Sequence, residues 1–115
     1  MQSLTSSAQI EEQVKAIALS CKHYLRKHYG DQFLELILYG SSTDKGATHE
    51  SDIDLLLLLH EPFDYFRELQ TIVDLLQPLQ LQSDLLISAK PASKKEFEEG
   101  SIQLYRNIRR EGIML

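Results

Sequence analysis

The sequence predicts an α/β domain in which helices pack on a mixed sheet of about three to four strands. Two observations carry this prediction. Short apolar runs, typical of buried strands, alternate along the chain with longer segments whose apolar residues recur every three or four positions, as in amphipathic helices. With 115 residues, the chain is long enough to bury a core as one domain, expected to span residues 1–115.

The first half of the chain predicts a helix followed by a strand. Residues 8–29 are expected to place their apolar side chains on one helical face, with Ser6 and Gln9 as a candidate capping box and Gly30 as the expected end of the helix. Residues 33–39 are too short and too apolar for a surface helix, so we expect a buried strand that Gly40 breaks. Residues 41–51 are small and polar and predict a loop. The apolar helix face comprises Ile10, Val14, Ile17, Ala18, Cys21 and Leu25.

The second half predicts two more strands and two more helices. Residues 52–59 are leucine-rich, which does not exclude a helix, but the short length and the flanking breaks favour a buried strand. A helix over 63–77 should end at Pro78, a third strand should cover 81–88, and a last helix should cover 93–110. The expected apolar helix faces comprise Phe66, Leu69, Ile72, Val73 and Leu76, and then Phe97, Leu104, Tyr105 and Ile108.

Composition restricts the partners and the setting. The net charge of -5 argues against a nucleic-acid polymer as the main partner, because such binding usually needs a basic surface. The longest apolar run, residues 55–59, is too short to cross a bilayer, and no membrane partner is expected. The single Cys21 excludes an internal disulfide, so we expect a reduced, cytoplasmic protein with Cys21 in its core.

The stretch most informative about function is Gly40-Ser41, ten residues, and then Asp52-Ile53-Asp54. Side chains alternate along a strand, so Asp52 and Asp54 should point the same way, and a divalent cation such as Mg²⁺ would offset their repulsion. Glycine allows a close backbone approach, and the Ser41 hydroxyl can bind phosphate oxygens. If the two strands are neighbours, a phosphate cradle and a metal site lie side by side.

A third carboxylate, Asp84, interrupts the apolar run over 81–87. Placed beside Asp54, it would complete a second metal site or take the proton from an attacking hydroxyl. Two bridged Mg²⁺ ions would then stabilise the entering and the leaving oxygens. Taken alone, Asp84 is also compatible with a solvated acid at a strand edge.

The pattern Leu-Tyr-Gly-Ser, ten residues, Asp-Ile-Asp-Leu-Leu resembles the signature of the minimal nucleotidyltransferases of the polymerase-beta-like superfamily. The resemblance runs from about Phe33 through the acid at 84 to the segment 105–113. It implies a small nucleotidyltransferase fold. It also implies that phosphates bind at Gly40 and Ser41, and that the metal-binding, catalytic carboxylates are Asp52, Asp54 and Asp84.

The sequence departs from the family pattern at one place. Family members often carry Ala-Arg-Gly shortly after the Gly-Ser pair, whereas Thr43, Asp44 and Lys45 stand here, with Gly46 one step late. An acid near the expected phosphates puts the catalytic rate in doubt, although Lys45 offers a compensating charge.

The resemblance also implies a partner and a reaction. Many such small proteins are antitoxins that transfer AMP from ATP to a tyrosine of a HEPN-domain toxin. One α/β unit leaves no segment for an acceptor-binding domain, so the acceptor is expected to bring its own recognition surface. Two alternatives remain: an antitoxin with weak or no catalysis that neutralises its partner by binding alone, and a nucleotidyltransferase with another acceptor.

Overall fold

The computed structural model describes residues 7–40 and 53–115, with only the backbone described for 7–10. The chain forms four helices and four strands within these ranges, and a short 3₁₀ turn, Gly30–Gln32, links the first helix to the first strand. In chain order the elements are α1 (Ser7–Tyr29), β1 (Phe33–Tyr39), β2 (Ile53–Leu59), α2 (Tyr65–Leu81), β3 (Ile87–Ser93), α3 (Lys94–Glu99), α4 (Gln103–Glu111) and β4 (Ile113–Met114).

The strands form one mixed sheet in the order β3-β2-β1-β4. β1 pairs antiparallel with both β2 and β4, whereas β2 and β3 run parallel. Parallel neighbours need a crossover connection, and α2 supplies it. The predicted α/β class and the mixed sheet are therefore confirmed.

Helices cover both faces of the sheet, which explains why β1 and β2 are so continuously apolar. One face packs against α1 and α2 through a cluster that includes Cys21, Leu36, Leu55 and Ile72. The opposite face packs against α3 and α4 through a second cluster that includes Ile37, Tyr39, Leu56, Phe97 and Ile108. Alternate residues of each strand thus serve different helix pairs.

The first helix and first strand lie where the sequence predicts them. α1 ends just before Gly30, whose φ of +57° is left-handed and costs glycine little. Val14, Ala18, Cys21 and Leu25 are all buried, as expected. The expected capping role of Ser6 and the loop over 41–51 fall outside the described residues.

The predicted end of the second helix and the predicted third strand are both wrong. α2 starts at Tyr65, with the Asp64 side chain accepting from the Arg67 N–H, and continues through Pro78 to Leu81. The strand beside β2 is Ile87–Ser93 and not 81–88. It contains Pro91, which is tolerated because β3 lies at the sheet edge.

The predicted helix over 93–110 is two helices. Ser93 caps the first, as its hydroxyl accepts from the Glu96 N–H at 3.0 Å. Gly100, with φ +64°, then turns the chain. Arg106 Nη1 donates to the Gly100 carbonyl and Arg109 Nη1 donates to the Glu98 carbonyl, both at 2.7 Å. These arginines therefore hold the turn between α3 and α4.

Two expected core residues on α2 are exposed: Phe66 at 77% and Val73 at 49%. Helical spacing alone does not distinguish which of two adjoining apolar faces meets the sheet. Across residues 7–40 and 53–115, no helix is long and apolar enough to span a membrane.

Candidate active site

The end of β1 and the start of β2 lie side by side, as the functional hypothesis requires. In the antiparallel register Tyr39 stands opposite Asp54, so Gly40 follows directly beside that carboxylate. Gly40 has φ +82°, and a Cβ atom there would lie 2.3 Å from Asp54 Oδ2. Only glycine leaves room for this approach of backbone to carboxylate. Ser41 and Asp52, the other halves of the two pairs, lie outside the described residues.

Asp54 is half-buried and shares the sheet face that α3 and α4 cover. Burial raises the pKa of the neighbouring Tyr39 to about 12, and the negative charge of Asp54 adds to the rise, followed by Tyr65 and Tyr105. The Tyr39 phenol therefore stays protonated at neutral pH.

Two further tyrosines lie within electrostatic reach of this group, one at the start of α2 and one on α4. Tyr65 is 39% exposed, whereas Tyr105 is half-buried and packs edge-on against Phe97, with ring centroids 6.0 Å apart. Burial raises the pKa of Tyr105, with contributions from Glu96 and Tyr65. Sequence reasoning missed these aromatic side chains as site neighbours. The sequence offered a signal for Tyr39 alone, because Tyr39 directly precedes Gly40.

Asp84 does not stand beside Asp54 in the sheet. It is exposed in the loop between α2 and β3, where it lines a groove of about 290 Å³ with Gln13, Ala16 and Ile17 of α1. The next residue, Leu85, is buried in the cluster under α1 and α2, on the sheet face away from Asp54. Asp84 was expected inside a strand, but the strand begins three residues later.

The β3 residue that does stand beside Asp54 is Ser88. Lys90 lies two residues further on and pairs with Leu56, so it shares the face of Asp54. Both side chains are half-buried. A hydroxyl and a cation thus occupy the sheet positions nearest Asp54 on β3, which sequence reasoning did not anticipate.

The side chains near Asp54 can be compared with the ligands that the expected Mg²⁺ would need. In the described part of the chain, no three acidic, histidine or cysteine side chains come together as a metal site. Asp54 does supply a half-buried carboxylate at the open turn beside Gly40, and carboxylate oxygen is the donor that Mg²⁺ prefers. Asp52, the second donor of the expected pair, lies outside the described residues, so the described part of the chain contains one donor of that pair.

A mixed α/β sheet that brings the glycine at the end of β1 against the Asp54 carboxylate of β2 is the arrangement expected of a nucleotidyltransferase of the polymerase-beta type. Sequence comparison agrees: the family described as Polymerase beta, Nucleotidyltransferase matches residues 20–115, and the chain belongs to this family. It is similar to "Putative protein adenylyltransferase MJ0604" of Methanocaldococcus jannaschii, with 32% identity over 92 residues, 79% of this chain and 86% of the relative.

Solved structures share the fold. A chain in a mutant of the toxin–antitoxin complex MntA-HpeT aligns with a TM-score of 0.53 and 20% identity, covering 84% of this chain and 70% of the other. A second mutant of the same complex aligns with a TM-score of 0.50 and 16% identity, covering 90% and 70%. At these identities the likeness extends to the fold alone.

Proposed function

We propose that this nucleotidyltransferase transfers AMP from ATP to a tyrosine hydroxyl of a partner protein, and that it thereby acts as the antitoxin of a HEPN-type toxin in the cytoplasm. The observation that carries the proposal is the contact between the Gly40 turn and the Asp54 carboxylate. It places a backbone turn suited to phosphate next to an acid suited to a metal. The protein adenylyltransferase name of the archaeal relative and the toxin–antitoxin fold match support the acceptor class.

The reaction forms one bond and breaks another. The tyrosine oxygen attacks the α-phosphorus of ATP, the bond from that phosphorus to the bridging oxygen breaks, and pyrophosphate leaves. The phenolic proton passes to a carboxylate or to solvent. Asp52 and Asp54 would hold Mg²⁺, which would supply positive charge to offset the phosphates.

The residues of this chain have separate tasks in the proposal. Gly40 and Ser41 receive phosphate oxygens at the turn, and Asp52 and Asp54 hold the metal. Lys90 shares the face of Asp54 and adds positive charge on the β3 side.

Aromatic side chains complete the proposed site. Tyr65 and Tyr105 offer ring surface near Tyr39, which stands opposite Asp54, and a base or an acceptor tyrosine can pack on that surface. Holding the acceptor oxygen and the phosphate in line would supply much of the rate.

Asp84 is the residue on which the structure and the family pattern differ, so it gives the sharpest test of the site. If the Asp52–Asp54 pair suffices, Asp84→Asn retains most of the transfer rate, whereas Asp54→Asn abolishes it with the fold intact. Equal losses in both variants would mean that Asp84 joins the site during the reaction.

The experiment uses labelled ATP, Mg²⁺ and the protein that co-purifies with the native chain, and mass spectrometry locates the label. We expect AMP on a partner tyrosine, dependent on Mg²⁺ and absent with Asp54→Asn. Label on a metabolite alone would exclude the antitoxin proposal but keep the nucleotidyl transfer.

A second candidate function is neutralisation of the toxin by contact alone. Two residues favour it. Asp44 adds a negative charge near the expected phosphates, and the exposed Asp84 does not stand beside Asp54 as the expected third carboxylate. Expressing the double variant Asp52→Asn/Asp54→Asn together with the toxin distinguishes the two functions by whether cells are still protected. Full protection by this variant would favour contact, and loss of protection would favour catalysis.

A further inference from the structure

One stretch of α1 carries positive charge with no acidic residue among its members. Residues 13–30 contain no Asp or Glu, although the chain has 17 of them and a net charge of -5. The same stretch carries Lys15, Lys22, Arg26 and Lys27 together with two histidines. The C-terminal part of α1 is therefore a cationic surface on an acidic molecule.

Part of this surface forms a groove against α2. Its lining is formed by His23, Tyr24, Lys27 and His28 of α1 and by Leu75 of α2, and it encloses about 500 Å³. All four α1 residues are exposed, and the His23 and Tyr24 rings lie edge to face with centroids 6.3 Å apart. The groove combines cationic and aromatic groups with one aliphatic side chain.

The acids of α2 near the groove have other partners. Glu68 accepts from Tyr29 Oη at 2.8 Å, and Asp74 accepts from Gln70 Nε2 at 3.0 Å. Within residues 7–40 and 53–115, Lys27 forms no ion pair; the pairs found there join Lys94 to Glu98 and Arg110 to Glu111.

The helix dipole explains part of this pattern. Arg26, Lys27 and His28 lie in the last turn of α1, where cations interact favourably with the free carbonyl groups. The dipole does not account for His23, which lies before that turn, or for the absence of acids as far back as residue 13.

We propose that this groove docks a short acidic segment of a protein partner, with carboxylates against Lys27 and the imidazoles and an apolar side chain on Tyr24 and Leu75. The proposal does not depend on the proposed function, because α1 and α2 cover the sheet face away from Asp54. A protein segment fits better than nucleic acid. A long phosphate backbone would leave the groove and meet the acidic remainder of the surface.

A second copy of the chain is a poorer occupant. Its acids would have to meet the groove through a different surface, and such a head-to-tail contact produces open chains of molecules unless the rotation closes a ring. The proposed occupant is therefore a different protein with an acidic, partly apolar segment.

The test measures fluorescence anisotropy of a labelled peptide that has glutamates around a central Leu-Tyr pair. The comparison probes are the same peptide with glutamine for glutamate and an oligouridine. We expect binding of the acidic peptide alone, weakened by salt. Lys27→Gln should weaken it about two- to fivefold, the range for an exposed ion pair.

Lys15→Gln is the matched control. It removes the same exposed charge from the same helix about 18 Å away along the axis, and it should leave peptide binding unchanged. Equal binding of the glutamine peptide, equal losses in the two lysine variants, or tighter binding of oligouridine would each overturn the proposal. So would self-association in sedimentation that Lys27→Gln abolishes, because it would identify the occupant as a second copy.

Discussion

Replacing Gly40 by alanine tests the contact on which the proposed site depends. At φ +82° an L-residue is strained, which costs about 1–2 kcal/mol of folding free energy. The new Cβ would also lie 2.3 Å from Asp54 Oδ2, so the carboxylate must retreat by about 1 Å to regain normal contact. A displacement of this size at a reacting group costs about a hundredfold in rate.

Gly30→Ala is the control for the strain alone. Gly30 also has a positive φ, +57°, but a Cβ there would meet no atom within 4 Å. Urea unfolding should therefore show losses of about 1–2 kcal/mol in both variants. AMP transfer, measured under conditions where both variants are folded, should fall about a hundredfold in Gly40→Ala and stay unchanged in Gly30→Ala.

The comparison has a clear refuting result. If both variants transfer AMP at the wild-type rate, the Gly40 turn does not position Asp54 for the reaction. If both lose the same fraction of activity, the loss follows from stability, and the argument from close approach is wrong.

Further predictions concern the frame around the site. Burial raises the pKa of the Cys21 thiol from 9.0 to about 12. Above about pH 9 the unfolded chain therefore releases a proton that the folded protein keeps, and the free energy of unfolding should fall as pH rises. This fall should be less steep in Cys21→Ala. A slope in urea unfolding that does not change in the variant would contradict this. Tyr29→Phe removes the hydrogen bond to Glu68 and should cost about 1 kcal/mol in the same assay without slowing transfer. Ser93→Ala removes the cap of α3 and should also cost about 1 kcal/mol, whereas Ser93→Thr, which keeps the accepting hydroxyl and adds no charge at this buried position, should retain most stability.

The first two strands could be predicted because their signals are local. β1 and β2 are short, mainly apolar runs with one acid each, Glu35 and Asp54, and Gly40 marks the end of β1 with a φ that glycine tolerates best. Burial on both sheet faces makes such runs distinct from surface helices. Sequence therefore predicts β1 in full and the whole described part of β2.

The third strand could not be predicted because tertiary pairing overrides its composition. The run over 81–88 is the more apolar one, yet Leu81 is 76% exposed and Leu86 57%. The actual strand contains Lys90 and Pro91, and its pairing with β2 stabilises it. The Gln80 side chain fixes its start by accepting from the Ile87 N–H at 2.7 Å. No periodicity in the sequence reports these long-range contacts.

The residues of the candidate site also fall into those with a local sequence signal and those that only long-range contacts bring to the site. Gly40 and Asp54 are recognisable because each carries its own local signal, a strand break and an acid at the start of an apolar strand. Ser88 becomes a neighbour only through the parallel register, and Tyr105 only through the packing of α4. Asp84 was misplaced because its prediction depended on the bounds of a strand.

The two residues that sequence predicts best are also those that local folding rules disfavour. A half-buried carboxylate weakens an apolar strand, and a glycine with positive φ is costly to order. The two residues are linked, because the carboxylate of Asp54 occupies the space that a side chain at position 40 would need. Stability alone would favour an apolar residue at 54 and an ordinary turn at 40. The presence of both unfavourable choices at one close approach is therefore the structural feature that most favours the proposed role of Gly40 and Asp54.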